Sequence, residues 1–175
     1  MDVPTRVLRY APTVALDFDP LERAGELWRE HVGDPTAMQL ATSIMRVQQI
    51  LGQRLDAALK PHGITFARFE VLRLISFSRQ GQLSLSKIGE RLMVHPTSVT
   101  NAIDRLVSQG LVVRETDPTD RRRTFALLTD DGRSVLDAAT AALMDIDFAI
   151  DGLDAGQQRE AYVLLRLLRS TDFEA

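Results

Sequence analysis

The residues best able to do chemistry lie in two short stretches of this 175-residue chain. The first runs His95-Pro96-Thr97-Ser98-Val99-Thr100-Asn101-Ala102-Ile103-Asp104-Arg105-Leu106. Wound as a helix, it turns Val99, Ile103 and Leu106 to one side and leaves Thr97, Ser98, Thr100, Asn101 and Arg105 facing out. Asn101 and Arg105 sit four apart and so share a face. Asn can pair with adenine, and Arg with guanine or phosphate. The dipole and free N–H groups of the helix N-terminus favour an anion there as well. The second stretch is Arg121-Arg122-Arg123, at or just past a turn containing Pro118. A hairpin tip is narrow enough for a minor groove, whose concentrated negative potential attracts arginine. Three consecutive strand positions cannot all face one way, so one or two of these side chains are expected to reach DNA. Asp117 and Asp120 would repel phosphate unless engaged, and at least one is expected to hold an arginine. Taken singly, each stretch also fits a solvated helix face or turn. Their succession favours double-stranded DNA.

Enzyme chemistry has little to work with. The chain has no cysteine, which removes disulfides, thiolate metal sites, cysteine nucleophiles and thiol-based redox sensing. It has neither a glycine-rich phosphate loop nor a His-x-x-x-His motif, and His31, His62 and His95 lack paired ligand spacing. Neither a metal nor a cofactor is therefore expected. No apolar run approaches the roughly 20 residues of a membrane span, and no basic end leads into an apolar stretch at the start. A cytoplasmic protein is the expectation. The net charge of −3 hides a gradient: residues 83–123 carry 7 basic and 5 acidic side chains, residues 124–175 carry 4 and 10. Both candidate stretches fall in the positive segment, and local charge governs phosphate contact.

The elements that must position these residues follow from periodicity and caps. Residues 1–19 show no period and read as a loose arm, before a short helix over 21–31 with Leu21, Ala24 and Trp28 on one side. Gly33-Asp34-Pro35 ends that helix and starts the next. There Leu40, Ile44, Val47, Leu51, Leu55 and Ala58 recur at steps of three and four, until Pro61-His62-Gly63 stops the helix. Thr65 is placed to cap a further helix reaching about Phe77, with Phe69, Leu72 and Ile75 inward. Ser84 does the same for a short helix carrying Leu85, Ile88 and Leu92. After Met93-Val94-His95, Pro96 opens the polar-faced helix, which runs to Gln109 with Val107 also inward and stops at Gly110. Strand-like runs over 111–114 and 124–128 flank the turn Asp117-Pro118-Thr119-Asp120. Thr129 caps a long helix predicted to run through Ile150 until Gly152 interrupts it. Asp154 with Gln157 reads as a capping box for a last helix carrying Ala161, Leu164, Leu165 and Leu168.

Helix, tight turn, helix and hairpin make a winged helix-turn-helix. The expected fold is mainly α with a small β-wing, flanked by N- and C-terminal dimerisation helices. The expected divisions are an arm with a short helix (1–34), dimerisation and support helices (35–80), the DNA-binding lobe (81–128) and C-terminal dimerisation helices (129–175). The flanking helices carry more apolar surface than one small module can cover. Burying it, at about 25 cal/mol per Å², favours a homodimer with intertwined ends over a compact monomer.

The run Leu83-Ser84-Leu85-Ser86-Lys87-Ile88-Gly89-Glu90-Arg91-Leu92, then Pro96-Thr97-Ser98-Val99-Thr100-Asn101 and Arg105-Leu106, resembles the multiple antibiotic resistance regulator (MarR) family. Gly110-Leu111-Val112, Asp117-Pro118-Thr119-Asp120-Arg121-Arg122 and Leu128-Thr129-Asp130-Asp131-Gly132-Arg133 continue the likeness in order, which spans about residues 35–170. The resemblance implies a homodimeric transcription factor, often a repressor, that binds a pseudo-palindromic operator and is released by a small aromatic or phenolic effector. It further implies that Ser98, Thr100, Asn101 and Arg105 contact bases or phosphates, with Arg121 or Arg122 as the wing arginine. His95 departs from the serine often found at that cap, and is expected to meet a phosphate instead. The arm before residue 35 is longer than the common pattern. A winged helix used only for protein–protein contact is the alternative, though such modules lack the outward Ser/Thr/Asn/Arg set joined to a basic wing.

Overall fold

The computed structural model describes residues 16–78, 81–120 and 123–170. Most of the arm (1–15) and the wing residues Arg121 and Arg122 lie outside them. The chain divides into two compact units between Arg54 and Leu55.

The first unit contains α1 (Pro20–His31) and most of α2 (Thr36–Leu59). The Asp19 carboxylate accepts the Leu21 N–H at 2.8 Å, and Pro20 fills the first turn. Asp34 accepts both the N–H and the hydroxyl of Thr36, at 3.1 and 2.7 Å, so α2 starts where the Asp-Pro pair predicts. Gly25 is buried against Gln39, whose amide nitrogen would stand 2.0 Å from an added Cβ.

The second unit begins with the buried Leu55 and Leu59 at the end of α2 and a 3-10 turn over Lys60–His62. Gly63, at φ 72°, reverses the chain into α3 (Phe66–Ser76). Thr65 makes no side-chain capping bond; the Asp56 carboxylate accepts the Phe66 N–H at 2.7 Å in its place. Next come β1 (Gln82–Ser84), α4 (Leu85–Leu92), α5 (Pro96–Ser108), β2 (Val112–Thr116), β3 (Thr124–Leu128), α6 (Asp130–Asp145) and α7 (Ala155–Ser170). The sheet has three antiparallel strands in the order β1-β3-β2, one more than the sequence predicts. Leu83 stands opposite Ala126, and Ala126 is also paired with Arg114.

Fully buried Leu72 and Ile75 of α3, Ile88 of α4 and Ile103 and Leu106 of α5 form the core of the lobe, with Val112, Ala126, Leu136 and Leu143. Val107, expected inward, is 38% exposed. The Val99-Ile103-Leu106 stripe already fills the buried face, and the next residue is rotated about 100° from it. Helix α6 ends at Asp145, short of the predicted Ile150, because Asp147, Phe148 and Ala149 take left-handed φ values of 45°, 50° and 62°. The capping box forms as read: Asp154 accepts the Gln157 N–H, and Gln157 accepts the Asp154 N–H, both at 3.0 Å. No residue of α7 is buried within one chain.

Candidate nucleic-acid interface

The outer face of α5 owes its exposure to the turn before it. Ser84 caps α4 by accepting the Lys87 N–H at 3.4 Å, and Met93 ends it in the left-handed region at φ 54°. Gly89 lets the turn close, since a Cβ there would lie 3.3 Å from the Val94 carbonyl oxygen. His95 then caps α5 through its ring: the Thr97 N–H donates to Nδ1 at 3.2 Å, with Pro96 in the first turn. An accepting Nδ1 leaves the ring proton on Nε2, so the other edge of the ring is a donor. His95 thus makes the cap itself, and a hydrogen-bond donor suited to phosphate comes with it.

His95, Thr97, Ser98, Thr100, Asn101 and Arg105 are all exposed. The Thr100 hydroxyl donates to the Pro96 carbonyl at 3.1 Å, so toward a ligand it can only accept. The Asn101 amide and the Arg105 guanidinium make no hydrogen bond or ion pair with any described residue. Behind this face the helix is anchored. Gln109 Nε2 donates to the Gly63 carbonyl at 2.8 Å, and the Leu111 N–H donates to the Leu106 carbonyl at 3.0 Å. A polar face with free donors on a helix anchored from behind can read base edges.

The hairpin beside it is organised by Asp117, which is only 9% exposed. One carboxylate oxygen accepts from the Thr119 N–H (2.8 Å), the Thr119 hydroxyl (2.6 Å) and the Asp120 N–H (3.3 Å). The other lies 3.6 Å from Arg123 Nη1. The expected acid–arginine pair is therefore present, and Arg123, whose guanidinium also stands 5.3 Å from the Phe125 ring centroid, is held where the loop joins β3. The Thr119 hydroxyl, then backbone N–H groups and Arg123, hold the Asp117 carboxyl below its ordinary range against the opposing effect of burial. A lowered folded-state pKa stabilises the turn above the ordinary carboxylate value, and this is lost as pH falls through the lowered value. Amide hydrogen-exchange protection at Thr119, taken relative to the intrinsic rate at each pH, is accordingly expected to fall on acidification. Asp117→Asn should remove that acid limb; an unchanged limb in the variant would assign it to another group.

Sequence reasoning missed Asp104 and Arg114. Arg114 of β2 places Nη1 2.8 Å from the Asp104 carboxylate and donates through Nη2 to the Thr100 carbonyl at 3.4 Å, both on α5. The only signal was an acid on the polar helix face with a cation in the following strand. Elsewhere, Arg73 of α3 donates to the Thr140 hydroxyl of α6, and its guanidinium stands 5.8 and 5.5 Å from the Phe69 and Phe77 ring centroids. Among the described residues, no group of three or more acidic or histidine side chains could hold a metal ion. No helix there is long and apolar enough to cross a membrane.

Comparison with known proteins gives a consistent picture. The MarR family pattern matches residues 64–124. The uncharacterized HTH-type transcriptional regulator YkoM of Bacillus subtilis strain 168 is 35% identical over 131 residues, 74% of this chain and 84% of its own length. Sco5413, a MarR family transcriptional regulator from Streptomyces coelicolor, superposes with a TM-score of 0.75 at 51% identity, covering 79% of this chain and 96% of that one. A mutant MarR from E. coli complexed with operator DNA has a TM-score of 0.67 at 26% identity, covering 81% and 97%. The helix-turn-helix, the wing sheet and these relatives agree: the chain belongs to the MarR family of transcriptional regulators.

Proposed function

We propose that this protein regulates transcription by binding double-stranded DNA as a homodimer on a pseudo-palindromic operator, acting as a cytoplasmic repressor. The observation that carries this reading is the outer face of α5, where Asn101 and Arg105 stand exposed without partners among the described residues, next to the β2–β3 hairpin. His95, Thr97, Ser98, Thr100, Asn101 and Arg105 contact major-groove base edges and phosphates, and Arg121 or Arg122 enters the flanking minor groove. Arg123 braces the wing. The operator complex of the similar E. coli protein supports duplex DNA as the partner.

Support for the homodimer comes from α7. Leu164, Leu167 and Leu168 are 64%, 58% and 55% exposed in one chain. Leaving such aliphatic surface in water is unfavourable by about 25 cal/mol per Å². In this reading residues 81–128 bind DNA, 35–80 supply dimerisation and support helices, 129–175 supply C-terminal dimerisation helices, and 1–34 form an arm with a short helix. A small aromatic or phenolic effector releases the operator. No reaction is assigned to the protein.

The test is to capture genomic duplex fragments on the purified protein and sequence them. An inverted repeat with half-site centres about one helical turn apart is the expected outcome. Fragments with no shared motif, or a motif lacking two-fold symmetry, would contradict the reading.

A further inference from the structure

We propose that Asp104 and Arg114 are a pair of positioning residues that fix the rotation of α5 against the wing, so that base-reading side chains and wing arginines reach one duplex together. This rests on the DNA reading above. The geometry is a two-point grip. The Arg114 guanidinium reaches from β2 to the Asp104 carboxylate at 2.8 Å and to the Thr100 carbonyl at 3.4 Å. Those acceptors belong to residues one helical turn apart, so a planar fork held at both resists rolling of the helix about its axis. A single point charge would not.

The same pair solves an electrostatic problem. The Asp104 side chain is 54% exposed and immediately precedes Arg105 on the helix that presents Asn101. Left alone, that carboxylate would repel the phosphates that Arg105 attracts. Arg114, itself 33% exposed, neutralises it without leaving the sheet. Exposed ion pairs add little to folding stability, so the consequence of this one falls on geometry rather than on the melting temperature.

The competing role for Arg114 is direct phosphate contact, and the two roles give opposite signs for Asp104. Fluorescence anisotropy would compare a duplex recovered from the fragment capture with a scrambled duplex of equal length. The proteins are wild type, Asp104→Asn, Arg114→Gln, Arg114→Lys and the Asp104→Asn/Arg114→Gln double variant. Each single change is expected to lower the ratio of specific to non-specific affinity about tenfold, within the range of one lost base contact. The double variant should be no worse than either single, since both break one interaction. Arg114→Lys keeps the charge but not the fork and should lose the ratio too. Melting temperatures are expected to move by less than about 3 °C.

Tighter binding by Asp104→Asn would overturn the clamp, because it would show the acid merely holding Arg114 away from phosphate. Additive losses, full function in Arg114→Lys or a large fall in melting temperature would overturn it as well. Wild-type protein that fails to distinguish the two duplexes would remove the DNA reading itself, and is recognised because all variants then coincide.

Discussion

Replacing Gly132 by alanine is expected to cost about 3 kcal/mol of stability, lowering the melting temperature by about 6–12 °C. Gly132 lies in the first turn of α6, where Thr129 caps the helix by accepting the Gly132 N–H at 3.0 Å. An added Cβ would stand 2.1 Å from the Leu111 carbonyl oxygen and 3.0 Å from Leu128 Cδ1. That carbonyl also accepts the Thr129 N–H at 3.2 Å, while the Thr129 hydroxyl donates to the Gly110 carbonyl at 2.8 Å. The methyl group therefore meets backbone rather than a side chain that could swing aside. Relief requires moving α6 away from the segment that joins α5 to β2, which breaks both hydrogen bonds. Urea denaturation at fixed protein concentration measures the loss. A change below about 0.5 kcal/mol would mean that the two elements do not approach so closely.

The second large effect is on DNA. Asn101→Ala and Arg105→Ala should each cost about 1–3 kcal/mol at the cognate duplex if each reads a base, and the scrambled duplex should be bound nearly as before. Arg122→Ala should instead weaken binding across sequences and reduce the slope of log affinity against log salt by about one. Measuring all three from low to moderate salt separates base reading from phosphate contact. A uniform loss for Asn101→Ala, with no change in preference, would remove it from the base-reading set.

Much of the lobe is legible in the sequence because its signals are local. Ser84, Thr129 and the Asp154–Gln157 pair cap the helices they precede, and Gly110, at φ 72°, lies just past α5 as a helix stop should. The outward set on α5 follows from spacing alone. What escaped depends on contacts distant along the chain. Strand β1 is three residues long, and its pairing with β3 joins positions more than 40 apart, so no periodicity announces it. The α3 cap comes from Asp56, ten residues before the amide it satisfies, while Thr65 carries the expected signal and makes no such bond. Gly132 belonged to a recognised motif, but the reason for a glycine appears only once Leu111 is beside it. The Asp104–Arg114 pair needs strand and helix placed together before either charge has a partner. Val107 shows the opposite error, an apolar residue read as core although the buried stripe was already complete.

The most direct measurement is a hydroxyl-radical and methylation-interference footprint on a captured duplex, with wild type and with the Asn101→Ala/Arg122→Ala variant. If one protomer grips the helix from adjoining grooves, major-groove contacts in each half-site will be flanked by minor-groove protection, repeated by two-fold symmetry, and the variant will lose both. Protection confined to one kind of groove, or a footprint that the variant leaves unchanged at low salt, would contradict it.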